Sequence, residues 1–263
     1  MKKKDEKSYF DDQWSPMMVH FKNFIQTGDQ EQLHLFRVQV KKLRAMLQLF
    51  NAASPKKQLL KDFKPVRQIF KHCGRIREAH INIQLGIRYQ FTNEEFLLGK
   101  LHEIEKTTGE IRSLEKKYSK AIRSAYQNIV HGLKQLSDKT VVSFYKTEIE
   151  QISVSMANLQ FDDGLHTSRK HIKTLMYNRK IARKALENKE LNISDDYLNK
   201  LQDMIGEWHD NILALHLFSA PEINSKPVIA KIKKRNTHFK ASIAALAKDF
   251  EKKAISATNI QLS

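Results

Sequence analysis

The chain has 263 residues and carries 46 Lys and Arg against 29 Asp and Glu, so its formal net charge at pH 7 is +17. Glycine and proline are scarce, at 8 and 5 residues, which argues against a many-stranded β fold and against glycine-rich phosphate loops. The one cysteine, Cys73, excludes an internal disulfide framework and a cysteine-based zinc site.

Helical periodicity dominates the first half of the chain. Apolar residues from Leu33 to Phe50 recur at spacings of three and four, which predicts a helix with Asp29 as its N-cap. Ser54-Pro55 should end this helix. The other helices that we predict here are 56–89, with interruptions near Pro65 and Gly74, 93–106, ended by Thr107-Thr108-Gly109, and 110–135.

The second half repeats the same rhythm of helices and breakers. We predict helices over 138–158, 165–188, 195–218 and 226–253. No alternation of strand type is long enough to indicate a sheet. The sequence therefore predicts an all-α protein built of four-helix-bundle-like subdomains.

The two halves of the chain are similar to each other when one is aligned on the other. This internal alignment lays His34, Arg37, Lys41 and Leu43 over His166, Arg169, Lys173 and Leu175, and with the same offset it lays Gly74 over Gly206. We infer an internal pseudo-two-fold repeat. Residues 12–135 form the first helical repeat and 138–255 the second, within a single domain over 1–263.

The repeated pattern His-x-x-Arg-x-x-x-Lys has a direct chemical reading. Spacings of three and four place its side chains on one helical face, and Arg44, Tyr177 and Lys180 extend the two rows. At a rise of ~1.5 Å per residue, the repeated pattern spans about 10 Å and the extended rows about 15–21 Å, which suits a linear polyanion. A single row is usually a solvated face, but two rows in matching register do not fit that interpretation well.

Four motifs in a fixed order resemble the CHAD family, the conserved histidine α-helical domain. The first two are His34-x-x-Arg37-x-x-x-Lys41-Lys42-x-Arg44 and Arg75-x-Arg77-Glu78. The others are His166-x-x-Arg169-Lys170-x-x-Lys173 and Ile205-Gly206-x-x-His209-Asp210. The resemblance extends over about residues 12 to 255 and implies two helical bundles on either side of a basic channel.

The same resemblance implies a function, the non-catalytic binding of inorganic polyphosphate, with no cofactor and no metal. The polyphosphate-binding residues that it indicates, together with those that extend the rows, are His34, Arg37, Lys41, Arg44, Arg75, Arg77, His166, Arg169, Lys170, Lys173, Tyr177 and Lys180. Arginine would act as a forked donor, and lysine as a point charge.

Two other functions remain open at the level of sequence. A nucleic-acid-binding protein would use the same basic surface, although aromatic residues are not interleaved with the rows. A metal-dependent phosphohydrolase is the weaker alternative, because His209-Asp210 lacks the further ligands that such chemistry needs.

The cellular setting follows from what the chain lacks. No apolar run approaches the ~18 residues of a membrane span. No hydrophobic segment follows the charged residues 1–7, so we expect no signal peptide. We expect a cytoplasmic protein without a membrane partner, with polyphosphate granules as a candidate location. The sequence does not indicate the oligomeric state.

Overall fold

The computed structural model describes residues 3–53, 58–91, 93–189 and 191–255, with side chains from Glu6 onward. Within these residues the protein is all-α, with one isolated β-bridge between Ile193 and Ile255 and no strand. The chain divides into two compact units, Met1–Leu136 and Ser137–Ser263, called here the N-terminal unit and the C-terminal unit. None of the described helices is long and apolar enough to cross a membrane.

The N-terminal unit contains six of the described helices. They are α1 (Lys3–Thr27), α2 (Gln30–Ala52), α3 (Leu59–Asp62), α4 (Lys64–Arg88), α5 (Glu94–Ser113) and α6 (Glu115–Gly132). Helix α2 packs against α1 on one side and α4 on the other, and α4 also packs against α5 and α6. Helix α2 is thus held from both sides within this unit.

The apolar stripe of α2 forms the centre of that packing, as the sequence predicts. Its six members are Leu33, Phe36, Val40, Leu43, Leu47 and Phe50, and each is at most 3% exposed. Asp29 is the N-cap and accepts a hydrogen bond from the backbone N–H of Glu31. The predicted stop at Ser54-Pro55 lies outside the described residues.

Helix α1 supplies the other wall of this core, and the sequence analysis did not predict it. Its signal was present in a stripe with spacings of three and four, whose members Phe10, Trp14, Met17, Phe21 and Phe24 are all buried. The rings of Phe21 and Phe36 lie 5.1 Å apart between centroids and join α1 to α2.

The C-terminal unit contains the remaining five described helices. They are α7 (Asp138–Ala157), α8 (Asp163–Glu187), α9 (Asp195–Ser219), α10 (Lys226–Ala247) and α11 (Phe250–Ala254). Helix α8 packs against α7 and α9, and α9 also packs against α10. Tyr145 of α7 is fully buried and donates its hydroxyl to the carbonyl oxygen of Leu175 at 2.7 Å.

Three predicted helix boundaries are wrong, each for a physical reason. Helix α4 continues through Gly74, because the flexibility of one glycine costs only about 1 kcal/mol and packing on α2 compensates it. Helix α5 continues past Thr107-Thr108-Gly109, because Ile111 is buried and Thr108 bonds the carbonyl of Ile104 inside the helix. The predicted helix 226–253 instead breaks at Asp249, which adopts a left-handed conformation with φ 55°.

Candidate anion-binding site

The basic row of the N-terminal unit follows one face of α2. His34 and Arg37 are half-buried, whereas Lys41 and Arg44 are exposed. Arg37 reaches across to α4, where its Nη1 donates to the carbonyl oxygen of Phe70 at 2.6 Å. Its guanidinium also lies 4.0 Å from the centroid of the Phe70 ring. These contacts hold a charged group in a fixed position at the junction of α2 and α4.

The second row, on α8, holds its arginine in the same way. The Nε of Arg169 donates to the carbonyl oxygen of Gln202 on α9 at 2.9 Å. The guanidinium lies so close to Gly206 that a Cβ added there would be 2.6 Å from its Nη2. Gly206 therefore provides the space that the arginine occupies.

The two arrangements agree position by position in the internal alignment of the two halves. The corresponding pairs are His34 and His166, Arg37 and Arg169, Phe70 and Gln202, Gly74 and Gly206, and Arg77 and His209. In both units an arginine donates to the carbonyl located four residues before a helical glycine. The pseudo-two-fold relation between whole repeats remains a prediction, but this local geometry occurs twice.

The glycines differ in how tightly the arginines approach them. A Cβ at Gly74 would lie 3.6 Å from Nη1 of Arg37, an ordinary contact, whereas at Gly206 it would clash with Arg169. We therefore expect Gly206→Ala to displace the guanidinium, break its bond to Gln202 and weaken polyphosphate binding by about threefold to tenfold.

Gly74→Ala is the matched control for this prediction. Alanine favours a helix interior over glycine by about 0.5–1 kcal/mol, so both variants gain helix propensity and only one moves an arginine. Titration calorimetry with polyphosphate and urea unfolding would measure the two effects. Equal affinities for both variants would show that the position of Arg169 does not matter for binding.

His34 lies in a cationic environment. Its pKa is lowered, first because burial disfavours the charged ring and then because the Arg77 guanidinium of α4 lies nearby. Burial also lowers the pKa of Arg37, and Arg77 adds to that effect. Arg77 thus belongs to the same cluster as His34 and Arg37, as the sequence predicts, and it also lowers the pKa of His80.

His166 contacts a second histidine instead of an arginine. Its ring stacks on that of His209, with the centroids 4.0 Å apart and the planes inclined by 20°. Burial, followed by His209, Lys170 and Arg169, lowers the pKa of His166 to about 4. The ring is therefore neutral in the free protein near neutral pH.

The lowered pKa of His166 predicts a loss of stability in acid. An unfolded histidine titrates near ~6.5. The stability that the neutral His166 ring contributes is therefore complete above that pH and is lost as the pH falls from there to about 4. Because the ring is only half-buried, we expect a loss of about 1 kcal/mol in the free energy of unfolding. Urea unfolding at several pH values should show no such loss in His166→Gln, whereas the control His216→Gln, at an exposed histidine, should retain it. If the free energy of unfolding depended on pH identically in both variants, His166 would not be the source of the loss.

The second row continues along α8 with Lys173 and Tyr177. The Lys173 Nζ lies 5.7 Å from the centroid of the Tyr177 ring. Burial and then Arg169 lower the pKa of Lys173, while the carboxylate of Asp203 on α9 acts in the opposite direction. Burial raises the pKa of Tyr177, so its hydroxyl stays protonated and available as a donor.

The remaining predicted site residues are not all brought together. Arg44 lies near Arg67 of α4, which lowers its pKa after the effect of burial. Arg75 faces α5 instead, where its Nη1 is 3.1 Å from the Glu110 carboxylate. Lys170 and Lys180 are exposed on α8. Arg75 therefore forms an ion pair with an acidic residue on another helix.

Three residues that the structure places at the rows are absent from the predicted binding residues: Arg67, Asp203 and His209. His209 belongs to the fourth motif of the resemblance, and the internal alignment lays it on Arg77, so the sequence contained the signal for it. Nothing in the local pattern distinguishes Arg67 or Asp203 from solvated charges. Among the described residues, no group of three or more His, Cys, Asp or Glu side chains could hold a metal ion.

Comparison with known proteins agrees with this fold. The model of the CHAD domain family matches residues 8–219, most of the chain, so the protein belongs to the CHAD domain family. Among solved structures, it is similar to the CHAD domain from the plant Ricinus communis, with a TM-score of 0.57 and 18% sequence identity. The likeness covers 91% of this chain and 89% of that chain and, at this identity, shows the fold alone. No curated protein matches the chain significantly.

Proposed function

We propose that this protein binds inorganic polyphosphate and does not catalyse a reaction on it. The observation that carries the proposal is that each unit holds an arginine in the same way. Arg37 donates to the main-chain carbonyl of Phe70, and Arg169 donates to that of Gln202. A carbonyl partner orients a guanidinium without neutralising its charge. The result is a cation that is fixed in place before a ligand arrives.

The chemistry of the neighbouring side chains supports an anionic ligand. Burial and nearby cations lower the pKa values of four row residues, His34, Arg37, Lys173 and His166. In the free protein these groups therefore repel one another when they are charged. An anion that approaches the rows would relieve this repulsion. Such strained groups are more common at binding sites than on solvated helix faces.

The shape of the rows supports a linear anion over a compact one. Donors on α2 occur at residues 34, 37, 41 and 44, and those on α8 at 166, 169, 173, 177 and 180. At a rise of ~1.5 Å per residue, the first set spans about 15 Å along its helix and the second about 21 Å, several times the size of one phosphate group. The chain belongs to the CHAD family, and the sequence resemblance to that family implies polyphosphate as the ligand. Family membership therefore favours polyphosphate as the linear anion.

Two assays test the proposal. Titration calorimetry with long-chain polyphosphate should show binding, and incubation of the same mixture with Mg²⁺ or Mn²⁺ should release no orthophosphate. Release of orthophosphate would contradict the non-catalytic part and favour the phosphohydrolase alternative. Absence of binding at low salt would contradict the proposal itself.

A further inference from the structure

One of the matched pairs places an arginine in one unit against a histidine in the other. The position that the internal alignment pairs is Arg77 in the N-terminal unit and His209 in the C-terminal unit. A guanidinium is charged at every pH at which proteins function, whereas an imidazole gains its charge near neutral pH. The C-terminal unit therefore has two titratable rings where the N-terminal unit has one ring and one permanent charge.

The geometry of the two rings limits how many protons they carry. With centroids 4.0 Å apart, two imidazolium ions would repel each other strongly, so the pair holds at most one proton near neutral pH. The Nδ1 of His166 is buried and has no hydrogen-bond partner among the described residues, so no acceptor stabilises a proton there. In the free protein, His166 is therefore an unfavourable place for a second charge beside His209.

The charges around the pair act in both directions. On α8, Lys170 and Arg169 disfavour a charge on His166, while Asp163 favours it. On α9, the Asp210 carboxylate lies 3.9 Å from Nδ1 of His209. Asp163 does not outweigh burial and the cations, because the pKa of His166 remains lowered to about 4.

The charges that shift the pKa of His166 come from α8 and α9, and none of them lies on the flanking helices α7 and α10. On α7, the Glu148 carboxylate lies 2.7 Å from Nδ1 of His171 of α8, and the hydroxyl of Ser155 accepts a hydrogen bond from Ser168 at 2.6 Å. Arg235 of α10 lies 3.9 Å from the carboxylate of Glu207, and Lys240 lies 5.1 Å from the Phe161 ring. An incoming anion is therefore the group that can reverse the field at the two imidazoles.

We propose that polyanion binding at the C-terminal unit is coupled to the uptake of a proton by the stacked His166–His209 pair, whereas the N-terminal unit binds through the permanent charge of Arg77. This inference rests on the proposed function and adds the residues that make binding depend on pH. His209 becomes a binding residue of the C-terminal unit.

The sign of the pH dependence follows from the coupling. The anion favours the protonated pair, so affinity rises as the pH falls from the pKa of the bound pair toward that of the free one. For one proton taken up, the affinity changes by at most about tenfold per pH unit. Below about pH 4, where His166 is protonated even in the free protein, its contribution to this dependence ends.

Reciprocal exchange of the matched residues tests the inference on the full chain. Titration calorimetry with inorganic polyphosphate, in two buffers of different ionisation enthalpy, counts the protons taken up near about pH 6.5. His209→Arg should reduce the uptake and flatten the dependence of affinity on pH. Arg77→His should increase the uptake, steepen the dependence and weaken binding at about pH 8.

A second variant at the same position separates titration from added charge. His209→Gln removes a titratable ring without adding a cation, so it should flatten the pH dependence as well, but with weaker binding at about pH 5.5 instead of stronger binding at about pH 8. Circular dichroism would confirm that each variant is folded.

The outcomes distinguish this inference from the proposed function. Wild-type binding without proton uptake, or a wild-type pH dependence retained in folded His209→Arg or His209→Gln, would overturn the role of the pair and leave polyphosphate binding intact. Absence of wild-type binding at every pH would overturn both.

Discussion

Replacing Arg37, Lys41, Arg169 and Lys173 together by alanine should weaken polyphosphate binding by at least about a hundredfold. Two of these side chains are cations held in place by main-chain carbonyls, and the other two extend the same helical faces. Removing all four takes away two cations from each row and leaves the buried stripe of α2 untouched. Titration calorimetry measures the affinity, and circular dichroism verifies the helical content.

The matched control removes the same charge from elsewhere. Lys120, Arg123, Lys231 and Arg235 are exposed, comprise two lysines and two arginines, and lie two in each unit on α6 and α10. Exposed charges that act only at long range should together cost less than about tenfold. Equal losses in the two quadruple variants would show that net charge alone binds the polyanion.

A second variant guards against a structural effect of the arginines. Arg37 and Arg169 each join two helices, so their loss lowers stability as well as affinity. Lys41→Gln combined with Lys173→Gln leaves both arginines in place and should still weaken binding by about tenfold. Unchanged affinity in this double variant would confine the site to the arginines.

The affinity for polyphosphate should fall by about three hundredfold or more when monovalent salt rises from about 50 mM to about 200 mM. Each cation that pairs with a phosphate releases a condensed counterion, so the logarithm of the affinity falls in proportion to the number of such pairs. The two rows and their neighbours provide enough cations for about six to ten pairs. Calorimetry at several salt concentrations gives the slope of the logarithm of the affinity against the logarithm of the salt concentration.

The slope also identifies which cations take part. Lys41→Gln should reduce its magnitude by about 0.7, the value for one contact with a single-stranded polyanion, whereas the exposed Lys231→Gln should leave it unchanged. An affinity of the wild type that is insensitive to salt would contradict electrostatic binding by the rows.

Local periodicity was sufficient to predict much of the fold. The stripe from Leu33 to Phe50 identified α2 and its buried face, because spacings of three and four reflect the geometry of one helix. The helix end predicted at Thr107-Thr108-Gly109 was wrong because local propensity is weaker than the burial of Ile111, one helical turn beyond Thr107 and Thr108. Tertiary packing of that kind leaves no mark in the local pattern.

The candidate site shows the same division between local and distant information. Spacing along α2 and α8 predicted the rows. The internal alignment paired Gly74 with Gly206, but it did not indicate that arginines lie against them. The partner of Arg75 is Glu110, which is 35 residues away on α5, and no local pattern links the two. Such contacts between helices were accessible only from the structure.

Competition between long-chain polyphosphate and duplex DNA tests the central claim most directly. Both polymers are offered to the protein at equal concentrations of phosphate groups and at about 0.15 M salt, and displacement of a fluorescent DNA is followed. A flexible chain can follow a row of about 15–21 Å, whereas DNA recognition usually adds groove-reading elements or several stacking aromatics, and the rows contain one tyrosine and no phenylalanine or tryptophan. The account predicts that polyphosphate displaces the DNA at a concentration at least about tenfold lower than unlabelled DNA requires. Equal or better displacement by DNA would contradict it and would identify a nucleic-acid-binding protein.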